Sequence, residues 1–194
     1  MEKRKFRVSF NSPVVLTFSI ICLVALLLDQ ITKGWANEHL FSVYRSSFFS
    51  PLTYIRFFGH VIGHAGWEHF IGNITFILVI GPLLEEKYGS SNMLFVILCT
   101  ALVTGIVNFV FFPHQMLLGA SGVVFAFILL SSFASIKNGS IPLTLILVAL
   151  IYIGGQVYQG IFVKSNISNL THIIGGLIGA SLGYVLNKGK IKKQ

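Results

Sequence analysis

Apolar and polar residues follow one another along this chain in long blocks, without the short alternation of a half-buried strand. Val8 to Leu28 carries no charge and predicts a first membrane-length helix. Phe70 to Leu84 predicts a second, led in by Trp67, Glu68 and His69 and ended by Glu85, Glu86 and Lys87. From Gly89 to Ile136 there is no Asp, Glu, Lys or Arg. That is too long for one span and is broken by Phe112-Pro113-His114-Gln115, so it predicts two helices, about Asn92 to Phe112 and Gly119 to Ser135. Ile141 to Val163 is the fifth and Ser165 to Asn187 the sixth. The stretch from about 29 to 66 is a long loop rich in Phe, Tyr and Ser, expected to lie partly in the membrane interface. No internal repeat suggests a two-fold transporter.

Composition turns helix-length runs into membrane spans. Of the 194 residues 54% are apolar and only 10% are Asp, Glu, Lys or Arg, with a mean hydropathy of +0.81. A soluble domain needs roughly a quarter of its residues charged to solvate its surface. The expected fold class is therefore all-α: a polytopic membrane protein of six transmembrane helices, one membrane-embedded unit over 1–194. The net charge of +8 sits mostly at the ends, in basic tails at about 1–7 and 188–194. Lys3, Arg4, Lys5, Arg7, Lys188, Lys190, Lys192 and Lys193 join Lys87 and Lys137 on one side, against Lys33, Arg45, Arg56 and Lys164 on the other. This asymmetry puts both termini in the cytoplasm and argues against a nucleic-acid partner. No small-residue cleavage site follows Leu28, so the first run is not read as a secretion signal. Cys22 and Cys99 lie within apolar runs and read as small buried hydrophobes.

Four polar residues stand inside the spans at a cost in lipid, which makes them functional candidates: His69, Asn73, Ser121 and His172, with His60 and His64 just before the second span. In the proposed topology the second, fourth and sixth helices all run inward from the outer side. Asn73 and His172 then lie about 10 Å below the outer ends of their helices. Ser121 is flanked by Gly119 and Gly122, which free its hydroxyl and the neighbouring N–H groups. His172 heads a stripe of Gly175, Gly179 and Gly183 that matches Gly122 and Ala126 of the fourth helix, and close packing of the two would bring a general base to a nucleophile. His69 and Asn73, four apart, share a face from which they can hold an oxyanion. Asp29 is the only aspartate and Glu85 and Glu86 lie on the inner side, so the arithmetic favours a Ser-His dyad without a third acid. The histidines suggest a metal site on residue type alone, but no H-E-x-x-H and no Asp or Cys accompanies them; no metal is expected, and His60 and His64 read as loop anchors.

The chain resembles the rhomboid intramembrane serine proteases of the compact six-helix bacterial type. The resemblance runs from about Arg56 to Tyr184. It rests on His64-Ala-Gly-Trp-Glu-His69-Phe-Ile-Gly-Asn73, Glu85 through Gly89-Ser90, Gly119-Ala-Ser121-Gly122 and His172-x-x-Gly175-x-x-x-Gly179. It implies Ser121 as nucleophile, His172 as base, and Asn73, His69 and the Ser121 N–H as oxyanion hole. It also implies an endopeptidase that cuts transmembrane protein substrates near their outer end, in the plasma membrane's lipid bilayer, with no cofactor; it sets no oligomeric state. Two departures stand out. Phe125 replaces a tyrosine that commonly stacks on the histidine, and Ile55 replaces a tryptophan before Arg56. The first motivates an alternative, a catalytically silent protein that binds transmembrane helices; the retained Ser121 and His172 argue against it.

Overall fold

The computed structural model describes residues 9–134, 143–162 and 166–191. The basic tail at 1–7, Val8, Lys137, Ile141 and the Val163–Ser165 junction lie outside them. The helices are α1 (Pro13–Ile31), α2 (Trp35–His39), α3 (Pro51–Gly59), α4 (Trp67–Tyr88), α5 (Ser90–Phe111), α6 (Ser121–Ala134), α7 (Leu143–Phe162) and α8 (Asn166–Ile191). No strand is formed among the described residues; one isolated antiparallel bridge joins Val43 to Leu117. Among the described residues four helices are long and apolar enough to cross a membrane: Pro13–Ile31, Trp67–Tyr88, Ser90–Phe111 and Asn169–Lys188. α6 is apolar but has only 14 residues, and α7 runs for 20.

Several predicted boundaries need correcting. The second span does not end at Glu85, because α4 continues through Glu86 and Lys87 to Tyr88. The reason lies in α1. Pro13 opens that helix and Ser12 makes no side-chain cap, which leaves early N–H groups in search of acceptors. The buried Glu85 carboxylate supplies them, accepting from Val14 N at 3.0 Å and Val15 N at 2.9 Å, and from Ser90 Oγ at 2.7 Å. One side chain thus ties α1, α4 and α5 together at one end of the bundle. Lys87 donates to the Ala134 carbonyl, closing the end of α6.

The segment from 29 to 66 is more ordered than a loop. α1 extends through Asp29, whose buried carboxylate accepts from Asn37 N in α2 at 2.8 Å. Arg56 of α3 is buried; its Nε donates to the His39 carbonyl at 2.8 Å and its guanidinium lies 4.5 Å over the Tyr44 ring. Phe48, Phe49, Tyr54 and Ile55 are left exposed.

The core runs between α1, α4, α5 and α6, around Val15, Ile77, Val96, Val123 and Phe127. Among the described residues the most extensive helix contact is α6 against α8. Small residues explain it: a Cβ on Gly175 would collide with the Gly122 carbonyl, one on Gly179 with the Ala126 carbonyl, and one on Gly183 would stand 2.7 Å from Phe133 Cβ. Backbones that approach this closely leave no room for a methyl group.

Candidate active site

The fourth predicted helix was expected from Gly119, but α6 begins at Ser121. Residues 112–120 are non-helical, so the serine sits at the first turn of a short helix. Non-helical backbone within a bundle must find internal hydrogen-bond partners, and this segment has them. Leu117 and Val43 exchange backbone bonds at 3.0 and 2.9 Å, and Gly119 N donates to the His60 carbonyl at 2.8 Å. The buried Asn108 Nδ2 donates to the carbonyls of Val43 at 2.9 Å and Gln115 at 3.1 Å. The positive pole of α6 and its unpaired first N–H groups then face the position of the serine.

Gly119 is required twice over. Its φ of +125° lies where side chains are strained, and a Cβ there would stand 2.6 Å from His69 Cε1, 2.8 Å from His69 Nε2 and 3.8 Å from Asn73 Nδ2. The polar face of α4 is therefore pressed against the backbone two residues before Ser121. Ala65 N donates to His69 Nδ1 at 3.4 Å, so in a neutral ring the proton belongs on Nε2, the nitrogen turned to Gly119. Asn73 is 8% exposed, and its Nδ2 is a buried donor with no hydrogen-bond partner among the described residues. Buried amides are ordinarily paired. An idle donor at this spot is free for a substrate atom.

His172 comes from α8, and its ring stacks on that of Phe125, one turn after Ser121, with centroids 4.1 Å apart and planes 10° from parallel. The phenyl ring supplies the stacking face without a hydroxyl. Gly122 packs between the methyl groups of Thr100, Thr104 and Thr171, each 3.6 to 3.7 Å from where its Cβ would be. These threonines were not singled out in the sequence, and nothing in their spacing marks them; only the fold gathers them behind the serine.

His60 and His64 lie before α4 and are fully buried. His60 Nδ1 donates to the Arg56 carbonyl at 3.1 Å and Nε2 meets Thr104 Oγ1 at 3.2 Å, so both nitrogens are engaged. His64 Nδ1 donates to the Ile62 carbonyl at 3.1 Å, and its ring stands edge-on to His69 at 5.2 Å. Burial pushes both rings down to about pKa 4, with His69 nearby adding to the effect on His64. Among the described residues no group of three His, Cys, Asp or Glu side chains could hold a metal ion.

A cleft of about 600 Å³ opens at the start of α4, walled by Ala65, Gly66, Trp67, Glu68 and Gly72, with His69 and Asn73 along one side. Among the described residues that line it His172 does not appear. Asp29 and Glu85, each committed to backbone N–H groups of other helices, offer no third acid.

With this geometry in hand, comparison with known proteins gives a family. The Rhomboid domain model matches residues 51–189. The chain is 29% identical over 161 residues to Rhomboid-related protein 2 of Mus musculus, covering 71% of this chain and 52% of that protein. It is 28% identical over 190 residues to Rhomboid protease GluP of Bacillus subtilis, covering 92% of this chain and 36% of that one. It is also 22% identical over 185 residues to Rhomboid protease GlpG of Haemophilus influenzae, with 90% and 91% covered. The chain thus spans about half of the first of these relatives and about a third of the second, and nearly all of the third.

Proposed function

Because the chain belongs to the rhomboid family, we propose that this multi-pass membrane protein is an intramembrane serine endopeptidase working through a Ser121–His172 dyad. The observation that carries the proposal is the idle Asn73 amide, buried beside His69 Nε2 and facing the backbone that leads into Ser121. Such donors are what a developing oxyanion needs, and each is worth about 10²- to 10³-fold in kcat. A silent helix-binding protein would have no use for an unpaired donor there.

In this reading Ser121 Oγ attacks the carbonyl carbon of a peptide bond while His172 takes the hydroxyl proton. The carbonyl oxygen becomes an oxyanion and accepts from Asn73 Nδ2, His69 Nε2 and the Ser121 N–H. When the C–N bond breaks, His172 returns the proton to the leaving amine; water, deprotonated by the same imidazole, then releases the acyl group. In this dyad the imidazole is held by the Phe125 ring and by the packing of Gly175 and Gly179 on α6.

The proposed topology has six spans with both termini in the cytoplasm of a cell that keeps the protein in its plasma membrane. His69 and Asn73 follow the start of α4 by two and six residues, about 3 and 9 Å, so the site opens near the outer surface. Substrates are then transmembrane helices whose outer end unwinds locally, since a helical amide is already hydrogen-bonded and must be freed before attack. Labelling by a serine-directed phosphonate tests the reading: the adduct is expected on Ser121 and should vanish in Ser121→Ala. Wild-type protein that resists the reagent while folded would overturn it.

A further inference from the structure

The mechanism leaves two side chains of the cleft unused. Trp67 and Glu68 form the first turn of α4 and line the cleft, and both are exposed. Glu68 shares its helical face with Gly72, four residues on, while His69 and Asn73 lie about 100° further round. The cleft thus has two longitudinal stripes, one of oxyanion donors and one carrying a carboxylate. Nothing stands within 4 Å of where a Cβ would be on Gly66 or Gly72, so the space in front of Glu68 is open.

Among the described residues no cation pairs with that carboxylate. Arg45 Nε and Nη2 donate to the carbonyls of Phe109 at 3.2 Å and Val110 at 3.0 Å, and Arg56 is held by the His39 carbonyl and the Tyr44 ring. Among the described residues neither a hydrogen bond nor an ion pair occupies the Glu68 carboxylate. An acid in the first turn is favoured by the helix dipole, and that alone would account for a glutamate here. It does not account for the exposed indole lining the same cleft, whose ring contact among the described residues is edge-on to Phe70 with centroids 6.1 Å apart. A carboxylate and an exposed indole lining one open cleft are both groups that accept an ammonium or guanidinium group.

We propose that Glu68 and Trp67 form a cation-accepting subsite, so that the enzyme prefers substrates with a lysine or arginine close to the scissile bond. This rests on the protease reading above. Glu68 stands about 1.5 Å above His69 and 7.5 Å above Asn73 along the axis of α4. A peptide bound in extended form advances about 3.3 Å per residue, so the residue that meets Glu68 lies within about three of the cut. Outer flanks of transmembrane helices are poor in Lys and Arg, so this subsite would select a narrow set of membrane proteins.

The test uses detergent-solubilised full-length protein and a single-span substrate in which each position, from three before to three after the cut, is in turn Lys, Gln or Glu. In wild type, Lys should outrun Glu at one position by about tenfold in kcat/KM at low salt. Glu68→Gln should bring that ratio to within about twofold, and Glu68→Lys should reverse it. A ratio near one at every position in wild type, or an unchanged ratio in Glu68→Gln, would overturn the subsite while cleavage of the Gln substrates upheld the protease. Wild type that cut none of the series would overturn both.

Discussion

Replacing Gly175 by alanine should separate the two halves of the site. The new methyl carbon would stand 2.9 Å from the Gly122 carbonyl carbon and 3.0 Å from its Cα, whereas carbon atoms in ordinary contact keep about 3.5–4.0 Å. Neither partner can turn away, because both are backbone inside helices, so α8 must move off α6 by about 1 Å. Ser121 immediately precedes Gly122, and His172 lies one turn before Gly175. The displacement therefore falls on the proposed reacting pair, where a misplacement of about 1 Å costs about 100-fold in rate. Overpacking should also lower stability by about 1–3 kcal/mol. The neighbouring glycine is the control. A Cβ on Gly176 would meet Leu129 Cγ and Cδ2 at 3.7 Å, which is ordinary contact, and alanine should gain up to about 1 kcal/mol of helix propensity. The assay is kcat on a single-span substrate, with the thermal midpoint in detergent measured in parallel. Gly176→Ala should match wild type in rate, and Gly175→Ala should fall about 100-fold. Equal activity of the two variants would refute the argument that the Gly122–Gly175 contact sets the dyad.

Other perturbations follow from single contacts. Asn73→Ala should lower kcat by about 10²- to 10³-fold with little change in thermal midpoint, because the lost amide has no partner to leave behind; a destabilised but fully active variant would contradict this. Glu85→Ala strips acceptors from Val14 N, part-buried, and Val15 N, buried, the latter at about 1–3 kcal/mol. It should lower the thermal midpoint without changing the pH profile of whatever activity survives, and an unchanged midpoint would count against the capping role. His60 and His64 have folded pKa values of about 4 against an ordinary 6.5, so between those limits the unfolded chain binds more protons. Stability should be full above about pH 6.5 and fall progressively towards pH 4, by up to roughly 3 kcal/mol per ring; a midpoint that rose on acidification would contradict buried neutral rings.

Much of this arrangement was legible in the chain because it rests on periodicity. His69 and Asn73 share a face at four-residue spacing, Gly175 and Gly179 repeat at the interval of Gly122 and Ala126, and Phe125 follows Ser121 by one turn. Each relation is local to one helix, and the packing of α6 on α8 then follows from matching small residues. What escaped was set by contacts between distant segments. Glu85 resembles a span-ending charge in the sequence, yet it caps a helix that begins 72 residues earlier. The start of α6 at Ser121 depends on Asn108 and His60 holding residues 112–120 out of a helix, and no local pattern announces bonds of that range. α2 and α3 were hidden in a stretch whose aromatic composition pointed to the interface more strongly than its short periodicity pointed to helices.

The central claim is that Ser121 and His172 carry out peptide-bond cleavage together. Its most direct test is cleavage of a single-span substrate by purified wild type, Ser121→Ala and His172→Ala, with chelator present throughout and folding of each variant checked by its thermal midpoint. Wild type should cleave despite the chelator, and neither variant should cleave above background at an unchanged midpoint. Cleavage retained by a folded Ser121→Ala protein would contradict it.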